Sequence, residues 1–247
     1  MRTIAIGDIH GGLKALVQLL ERVQLSTDDH LIFVGDYVDG WSQSANTIDF
    51  LIDLKEQYKC TFILGNHDAW CHDWLKTGDA NPTWRMHGGK STMESYEDMN
   101  YTEAQMTSHL AFFDSMIPYY IDEENRLFIH AGFTSMHGPS KEHYGSNYSW
   151  DRTLWETAVA THSSYKRDNI SFPKRLKLFK EIYIGHTPTI RLNETQPMNR
   201  VNVWNVDTGA AFTGPLSAID IDTKEIWQSD LLTELYPYEK GRNKTKE

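Results

Sequence analysis

Three apolar runs near the N-terminus each lead directly into a glycine that is followed by a short acidic or amide side chain. The runs cover residues 3–6, 31–34 and 61–64, and the pairs that follow them are Gly7-Asp8, Gly35-Asp36 and Gly65-Asn66. Apolar residues at helical spacing separate the runs. This β-α-β-α-β order predicts parallel strands with right-handed crossovers, so the three polar turns should meet at one edge of a sheet.

The second of these turns, Gly-Asp-Tyr-Val-Asp-Gly at residues 35–40, carries two carboxylates. It follows an apolar run that is typical of a strand buried on both faces. Unpaired carboxylates beside such a strand cost several kcal/mol of free energy or become protonated, and a bound cation is a common remedy. The turn therefore indicates a cation site at the end of the second strand.

Further metal-type side chains follow other predicted strands. Asp8 and His10 are two positions apart, so an extended backbone would point both at one ion. His130 and His186 follow the runs 127–129 and 182–184. The candidate ligands offer oxygen and imidazole but no thiolate, which favours manganese, with iron or zinc as alternatives, over calcium. They are Asp8, His10, Asp36, Asn66, His130 and His186. Six ligands suit two divalent metal ions that share one carboxylate and activate a water for in-line phosphoryl displacement.

The length of 247 residues and the 40% hydrophobic content allow one large domain, which we place at residues 1–239. Residues 69–125 lack the β-α rhythm and are predicted to be an insertion of helices and loops that faces the substrate. The alternating runs at 201–206, 216–221 and 226–228 predict a mostly antiparallel sheet in the last third. Residues 240–247 are predicted to be a frayed polar tail.

The formal net charge of −10 argues against a nucleic-acid partner held through its phosphate backbone. No apolar run approaches the length of a membrane span, and the first apolar run is too short for the core of a signal peptide. We therefore expect a cytoplasmic protein that does not bind membranes.

Five motifs occur in order along the chain: GDIHGG at 7–12, GDYVDG at 35–40, GNHD at 65–68, HAG at 130–132 and IGHT at 184–187. This series resembles the signature of the calcineurin-like metallophosphoesterases, and within them the compact bacterial and phage members of the phosphoprotein phosphatase branch. The resemblance implies an α/β fold, a four-layer αββα sandwich in which two mixed β-sheets are flanked by helices. It places the metals at one rim of the sandwich.

The resemblance also implies roles for individual residues. It assigns Asp8, His10 and Asp36 to the first metal, and Asp36, Asn66, His130 and His186 to the second. His67 would be the general acid, Asp39 would orient His67, and Arg152 would hold the phosphate oxygens through two hydrogen bonds. A water between the metals would attack directly, so no phosphoenzyme is expected.

One position departs from the pattern of this branch, which usually reads Gly-Asp-x-Val-Asp-Arg-Gly. Here Gly40 and Trp41 stand where Arg and Gly would be, so one phosphate-binding guanidinium is missing. Arg85 or Lys90 could compensate. Alternatively, Trp41 lines a pocket that stacks on an aryl group or a base. A third reading is that Trp41 packs beneath the loop.

Three functions fit these residues. The first is a metal-dependent phosphomonoesterase, a Ser/Thr or Tyr protein phosphatase that acts on phosphorylated proteins and on small phosphate esters. The second is a dinucleoside polyphosphate hydrolase similar to the diadenosine tetraphosphatases, which share much of the signature but typically depart from it at the residue that corresponds to Asp39. Because Asp39 is kept, we favour the first. The third, a scaffold without catalytic activity, is disfavoured because His67 and all six presumed ligands are present.

Overall fold

Ten strands form two five-stranded sheets in the computed structural model, which describes residues 1–162 and 164–243. The strands are β1 Thr3–Ile6, β2 His30–Phe33, β3 Lys59–Phe62, β4 Tyr119–Ile121, β5 Arg126–Ile129, β6 Glu181–Ile184, β7 Met198–Arg200, β8 Val203–Asn205, β9 Pro215–Asp220 and β10 Ile226–Leu231. The α-helices are α1 Leu13–Val23, α2 Ser44–Lys55, α3 Asn66–Thr77, α4 Pro82–Trp84, α5 Lys90–Met99, α6 Glu103–Asp114, α7 Asn147–Trp150, α8 Thr153–Ala160 and α9 Leu232–Leu235. A π-helical turn, Arg85–Gly89, joins α4 to α5.

Both sheets are mixed. The first has the order β10-β9-β1-β2-β3, in which β1, β2 and β3 are parallel and β9 and β10 are antiparallel. The second has the order β4-β5-β6-β8-β7, in which β5, β6 and β8 are parallel and the two edge strands are antiparallel. The sheets stack face to face with helices outside them, so the predicted four-layer α/β sandwich is confirmed.

The core lies in layers that follow this stacking. Ala5, Ile32, Phe128 and Tyr183 belong to an apolar layer that is supplied by both sheets. A larger cluster joins the outer face of the first sheet to α1, α2 and α6, and a third cluster joins the second sheet to α8. Strands β1 and β2 are thus covered on both faces, which explains why their sequences are continuous apolar runs.

The last third of the chain differs from the single antiparallel sheet that alternation predicted. Strands β7 and β8 belong to the second sheet, where β8 runs parallel to β6, whereas β9 and β10 belong to the first sheet. Alternation reports which face of a strand is buried. It does not report which neighbour the strand pairs with, because backbone hydrogen bonds are the same for every sequence.

Residues 69–125 contain most of α3 together with α4, α5 and α6, and α5 packs against α2. They also contain β4, which pairs antiparallel with β5 and which the predicted helices and loops did not include. The limits of this insertion and of the domain at residue 239 stay predictions.

Residues 240–243, predicted to begin a frayed tail, are held against the body of the protein. The Glu239 carboxylate just before them accepts hydrogen bonds from the Ser42 backbone N–H at 2.9 Å and from its hydroxyl at 2.7 Å. The Arg242 backbone N–H donates to the Ala211 carbonyl at 2.8 Å. The rest of the predicted tail, 244–247, lies outside the described residues.

The buried Asp29 carboxylate holds the residues just before β1 in place, and we expect it to stabilise the folded protein. Asp29 accepts hydrogen bonds from the Arg2 backbone N–H at 3.0 Å and from the Ser26 N–H at 2.9 Å, and it pairs with the Arg2 guanidinium. Burial opposes the charge on Asp29, but these donors outweigh burial and lower its pKa to about 2. Asp29→Asn should therefore lower the free energy of unfolding at pH 7 by about 1.5–3 kcal/mol, measured by urea denaturation.

The same contact makes stability depend on pH. A lowered pKa in the folded state stabilises the protein fully above the unfolded value of about 3.9, and this contribution is lost as the pH falls toward 2. The difference in unfolding free energy between wild type and Asp29→Asn should shrink over that range. A difference that stayed constant between pH 7 and pH 2 would contradict the assignment.

Candidate active site

Left-handed backbone turns aim the polar residues at the strand ends into one cluster. His10, Asp36 and His186 have φ angles of 55°, 56° and 67°. Such angles are uncommon outside glycine and cluster at functional sites. The expectation that Asp8 and His10 meet on extended backbone was therefore wrong in mechanism. A turn brings them together instead, with His10 Nε2 4.0 Å from Asp8 Oδ2.

Asp36 lies at the centre of this cluster. Its Oδ2 is 3.6 Å from His10 Nε2 and 3.3 Å from His130 Nε2. Two sets of potential ligand atoms include it, with the atoms of each set within 4.8 Å of one another: His10, Asp36 and His67, and Asp36, His130 and His186. Asp36 can therefore be shared between two cation positions.

Two of the histidines are held in the form that can bind a metal. His10 Nδ1 lies 2.9 Å from the Asp39 carbonyl oxygen, and His130 Nδ1 lies 2.8 Å from the Val34 carbonyl oxygen. Because a carbonyl only accepts, each Nδ1 must carry the proton. Nε2, the nitrogen that faces Asp36, is then the one that each ring would offer to a metal.

The Asn66 side chain connects the two histidines from the later strands. Its Oδ1 is 3.2 Å from His130 Nε2 and 3.0 Å from His186 Nδ1. All six predicted ligands are thus assembled in one buried place.

The donor set of the cluster fits divalent cations. Asp8 Oδ1 and His186 Nε2 are buried and have no hydrogen-bond partner among residues 1–162 and 164–243. Burial, reinforced by the nearby Asp207, raises the pKa of Asp8 well above its usual value, and burial lowers that of His186 to about 2. Unpartnered buried groups of this kind are costly, and metal ions bound at the cluster would remove the cost.

His67 and Asp39 form a buried pair beside the cluster. His67 Nδ1 is 2.6 Å from Asp39 Oδ2, which also accepts a hydrogen bond from the Trp84 indole at 2.5 Å. The Thr92 hydroxyl donates to the other oxygen of Asp39 at 2.6 Å. Burial raises the pKa of Asp39 to about 8 and lowers that of His67 to about 3, and one hydrogen bond joins Oδ2 to Nδ1. The ring nitrogen that remains to face the cavity is Nε2.

Asp68 is a structural residue of the site that sequence reasoning did not single out, although it ends the motif at 65–68. Its Oδ2 accepts from the backbone N–H groups of Asp36 at 2.7 Å and Gly65 at 2.9 Å, and its Oδ1 accepts from Tyr37 at 2.8 Å. One side chain therefore joins the turn after β2 to the start of α3 and fixes the position of Asp36.

A cavity of about 200 Å³ opens over the cluster, and three arginines line it. Arg152, the predicted phosphate-binding residue, is one of them. Arg191 and Arg242 are the others, and sequence reasoning missed both. Arg191 lies in a short 3-10 turn and Arg242 in the C-terminal segment, outside all five motifs, so no local signal marked them.

The structure decides among the three readings of the missing motif arginine. Trp41 is fully buried, its indole N–H donates to the Ala210 carbonyl at 2.7 Å, and its ring stacks on Tyr236. It packs beneath the loop, as the third reading has it, and does not line a stacking pocket. Arg85 and Lys90 do not line the cavity over the cluster. They border a neighbouring groove of about 680 Å³, which shares Arg191 and Arg242 with the cavity.

The chain is similar to known proteins over most of its length. The family profile described as calcineurin-like phosphoesterase matches residues 1–208. A bis(5'-nucleosyl)-tetraphosphatase PrpE (asymmetrical) of Oceanobacillus iheyensis is 24% identical over 237 residues, which cover 91% of this chain and 90% of that protein. A serine/threonine-protein phosphatase 1 of Salmonella typhimurium is 25% identical over 219 residues, covering 86% and 88%. The structure of a protein serine/threonine phosphatase from Saccharomyces cerevisiae shares the fold with a TM-score of 0.59 at 13% identity, covering 93% of this chain and 80% of that one.

The two mixed sheets and the histidine–carboxylate cluster at their rim define a metal-dependent phosphoesterase, a hydrolase. The chain belongs to the calcineurin-like phosphoesterase family.

No helix among its described residues is long and apolar enough to cross a membrane. The cytoplasmic location stays a prediction.

Proposed function

We propose that this protein is a metal-dependent hydrolase of dinucleoside polyphosphates, of which diadenosine tetraphosphate is the representative substrate. The carrying observation is the buried Asp36-centred cluster beside the His67–Asp39 pair, beneath a cavity lined by three arginines. The relative named as an asymmetrical bis(5'-nucleosyl)-tetraphosphatase matches nine-tenths of both chains and supports this substrate class.

The six predicted ligands would hold two divalent ions: Asp8, His10 and Asp36 for the first, and Asp36, Asn66, His130 and His186 for the second. Manganese is the ion we expect, with iron or zinc as alternatives. When bound, the ions supply Lewis-acid activation of water and neutralise phosphate charge. The protein contributes the fixed geometry, since Asp68 and the backbone carbonyls hold Asp36, His10 and His130 in place.

His67 would donate a proton from Nε2 to the leaving oxygen. Asp39 fixes the ring through Nδ1, and Trp84 and Thr92 fix Asp39 in turn. General acid catalysis by a positioned histidine typically contributes a factor of about 10²–10⁴ in rate. Arg152, at the exposed mouth of the cavity, would bind phosphate oxygens through its planar guanidinium.

This proposal replaces the protein phosphatase favoured from sequence. A polyphosphate chain carries several negative charges in a row, which suits a mouth lined by Arg152, Arg191 and Arg242 better than a single phosphate ester would. Protein phosphatase activity remains the second candidate. It is supported by the Salmonella relative and by the retention of Asp39.

Turnover by the purified protein, with manganese supplied or removed by chelation, tests the proposal. The substrates compared are diadenosine tetraphosphate, p-nitrophenyl phosphate, a phosphoserine peptide and a phosphotyrosine peptide. We expect manganese-dependent cleavage of the dinucleotide with the highest kcat/KM. Chromatography of the products shows which bond breaks, because asymmetrical cleavage gives ATP and AMP whereas symmetrical cleavage gives two ADP.

Two other results would contradict the proposed dinucleotide hydrolase. Hydrolysis confined to the peptides and p-nitrophenyl phosphate would overturn the dinucleotide proposal in favour of a protein phosphatase. No turnover of any substrate by protein with two bound metals would point to the scaffold that binds phosphorylated partners.

A further inference from the structure

Arg242 reaches the cavity from a part of the chain that no motif covers. It shares the lining of the cavity with His10, Asp36 and Asn66. Its side chain passes over Gly40, where a Cβ atom would come within 3.4 Å of Arg242 Cγ and 3.2 Å of the His10 carbonyl oxygen. Gly40 has a φ of 133°, an angle that side-chain-bearing residues rarely adopt. Arg242 therefore occupies the space above Gly40, a position whose backbone conformation does not readily accept an arginine.

The segment that carries Arg242 is fixed to two loops, the one after β2 and the one between β8 and β9. Glu239 binds Ser42, and the Arg242 backbone N–H binds the Ala211 carbonyl. Between them, Gly241 lies so close to the Trp41 ring that a Cβ would come within 2.7 Å of it. The buried Trp41 thus forms the surface on which the C-terminal segment rests.

The guanidinium of Arg242 keeps its donors available. It makes no hydrogen bond or ion pair with any residue that the structure describes. Its central carbon, Cζ, lies 5.4 Å from the centre of the Phe212 ring. The carboxylates of Asp36, Asp39 and Asp207 attract its charge without reaching it. A half-buried cation with free donors beside a phosphoesterase centre is arranged to bind an anion.

We propose that Arg242 binds the substrate's phosphate oxygens and supplies from the C-terminal segment the guanidinium that residue 40 lacks. The inference rests on the proposed function only in requiring a substrate that contains phosphate. Arg242 and Arg191 border both the cavity and the neighbouring groove, where Arg85 and Lys90 lie. With a polyphosphate substrate, Arg242 would contact the phosphate chain where it passes from the cavity into the groove.

The test compares Arg242→Ala, Arg242→Lys and a matched control, Arg200→Ala, which removes an exposed arginine at the end of β7. Binding of inorganic phosphate to the manganese-loaded proteins is measured by calorimetry, and thermal melting verifies folding. We expect Arg242→Ala to weaken phosphate binding about 10- to 100-fold, since it removes a charged hydrogen-bond donor. Arg242→Lys should recover part of the loss because it keeps the positive charge but lacks the planar guanidinium that makes two parallel hydrogen bonds. Arg200→Ala should bind phosphate like wild type.

Kinetics give a second, independent readout. With diadenosine tetraphosphate, Arg242→Ala should lower kcat/KM by a similar factor, and more than it does with p-nitrophenyl phosphate, which has no chain to extend into the groove. Unchanged phosphate affinity in a folded Arg242→Ala protein would overturn the inference, whatever the substrate. If wild type cleaves no dinucleotide but Arg242→Ala still binds phosphate more weakly than Arg200→Ala, the inference stands and the proposed function fails.

Discussion

Asp36→Asn should strongly reduce turnover and lower the metal content of the protein. Asp36 is common to both sets of potential ligands, and its Oδ2 faces both His10 and His130. The substitution removes one negative charge and replaces a carboxylate oxygen with an amide at the shared position. Because bound metals contribute several kcal/mol to stabilising a phosphoryl transition state, kcat/KM should fall by about 10³-fold or more.

Elemental analysis of dialysed protein gives the readout that does not depend on activity. Wild type should retain two manganese ions per chain, and Asp36→Asn should retain fewer. The matched control is Asp53→Asn, which neutralises an exposed carboxylate on α2 and should keep both ions and full activity. Full metal content together with full activity in Asp36→Asn would contradict the assignment of a shared carboxylate.

His67→Asn should lower kcat by about 10²–10⁴-fold and leave the metal content unchanged. His67 is held by Asp39 through Nδ1 and, on this assignment, donates its proton from Nε2 rather than binding metal. Asp39→Asn should give a smaller loss in the same direction, because the ring would lose its anchoring carboxylate but stay in place. The effect should be largest with poor leaving groups such as the phosphoserine peptide and smallest with p-nitrophenyl phosphate, which needs little protonation.

The metal measurement is essential for this variant because the geometry groups His67 with His10 and Asp36 among the potential ligand atoms. If His67→Asn lost metal in parallel with activity, His67 would be a ligand and the general acid would have to be sought elsewhere. His143→Asn, at an exposed histidine far along the chain, is the matched control and should behave as wild type.

Most of the predicted metal ligands could be found from short stretches of the sequence. Each of five predicted ligands follows a strand within four residues, and the parallel order of the strands brings the strand ends together: Asp8, Asp36, Asn66, His130 and His186. Apolar runs and turn residues are properties of short stretches, so the sequence was sufficient to place the histidine–carboxylate cluster at the strand ends, whereas the layers around it were implied by the family resemblance.

The backbone conformation at His10 could not be predicted from the sequence. His10 meets Asp8 through a left-handed turn rather than an extended strand, and such a conformation is maintained only by the packing and hydrogen bonds around it. The division of β7–β10 between two sheets has the same origin, since strand pairing is decided by the whole fold.

The sequence by itself thus determined the set of metal-type residues and the order of the strands that carry them, because both depend on local pattern, and its five motifs implied the family and the sandwich. The tertiary structure decided what surrounds them. It buried Trp41 against Ala210 and Tyr236 and brought Arg191 and Arg242 to the mouth of the cavity. These contacts join positions as much as about 200 residues apart in the chain, and no periodicity or motif encodes a meeting over that distance.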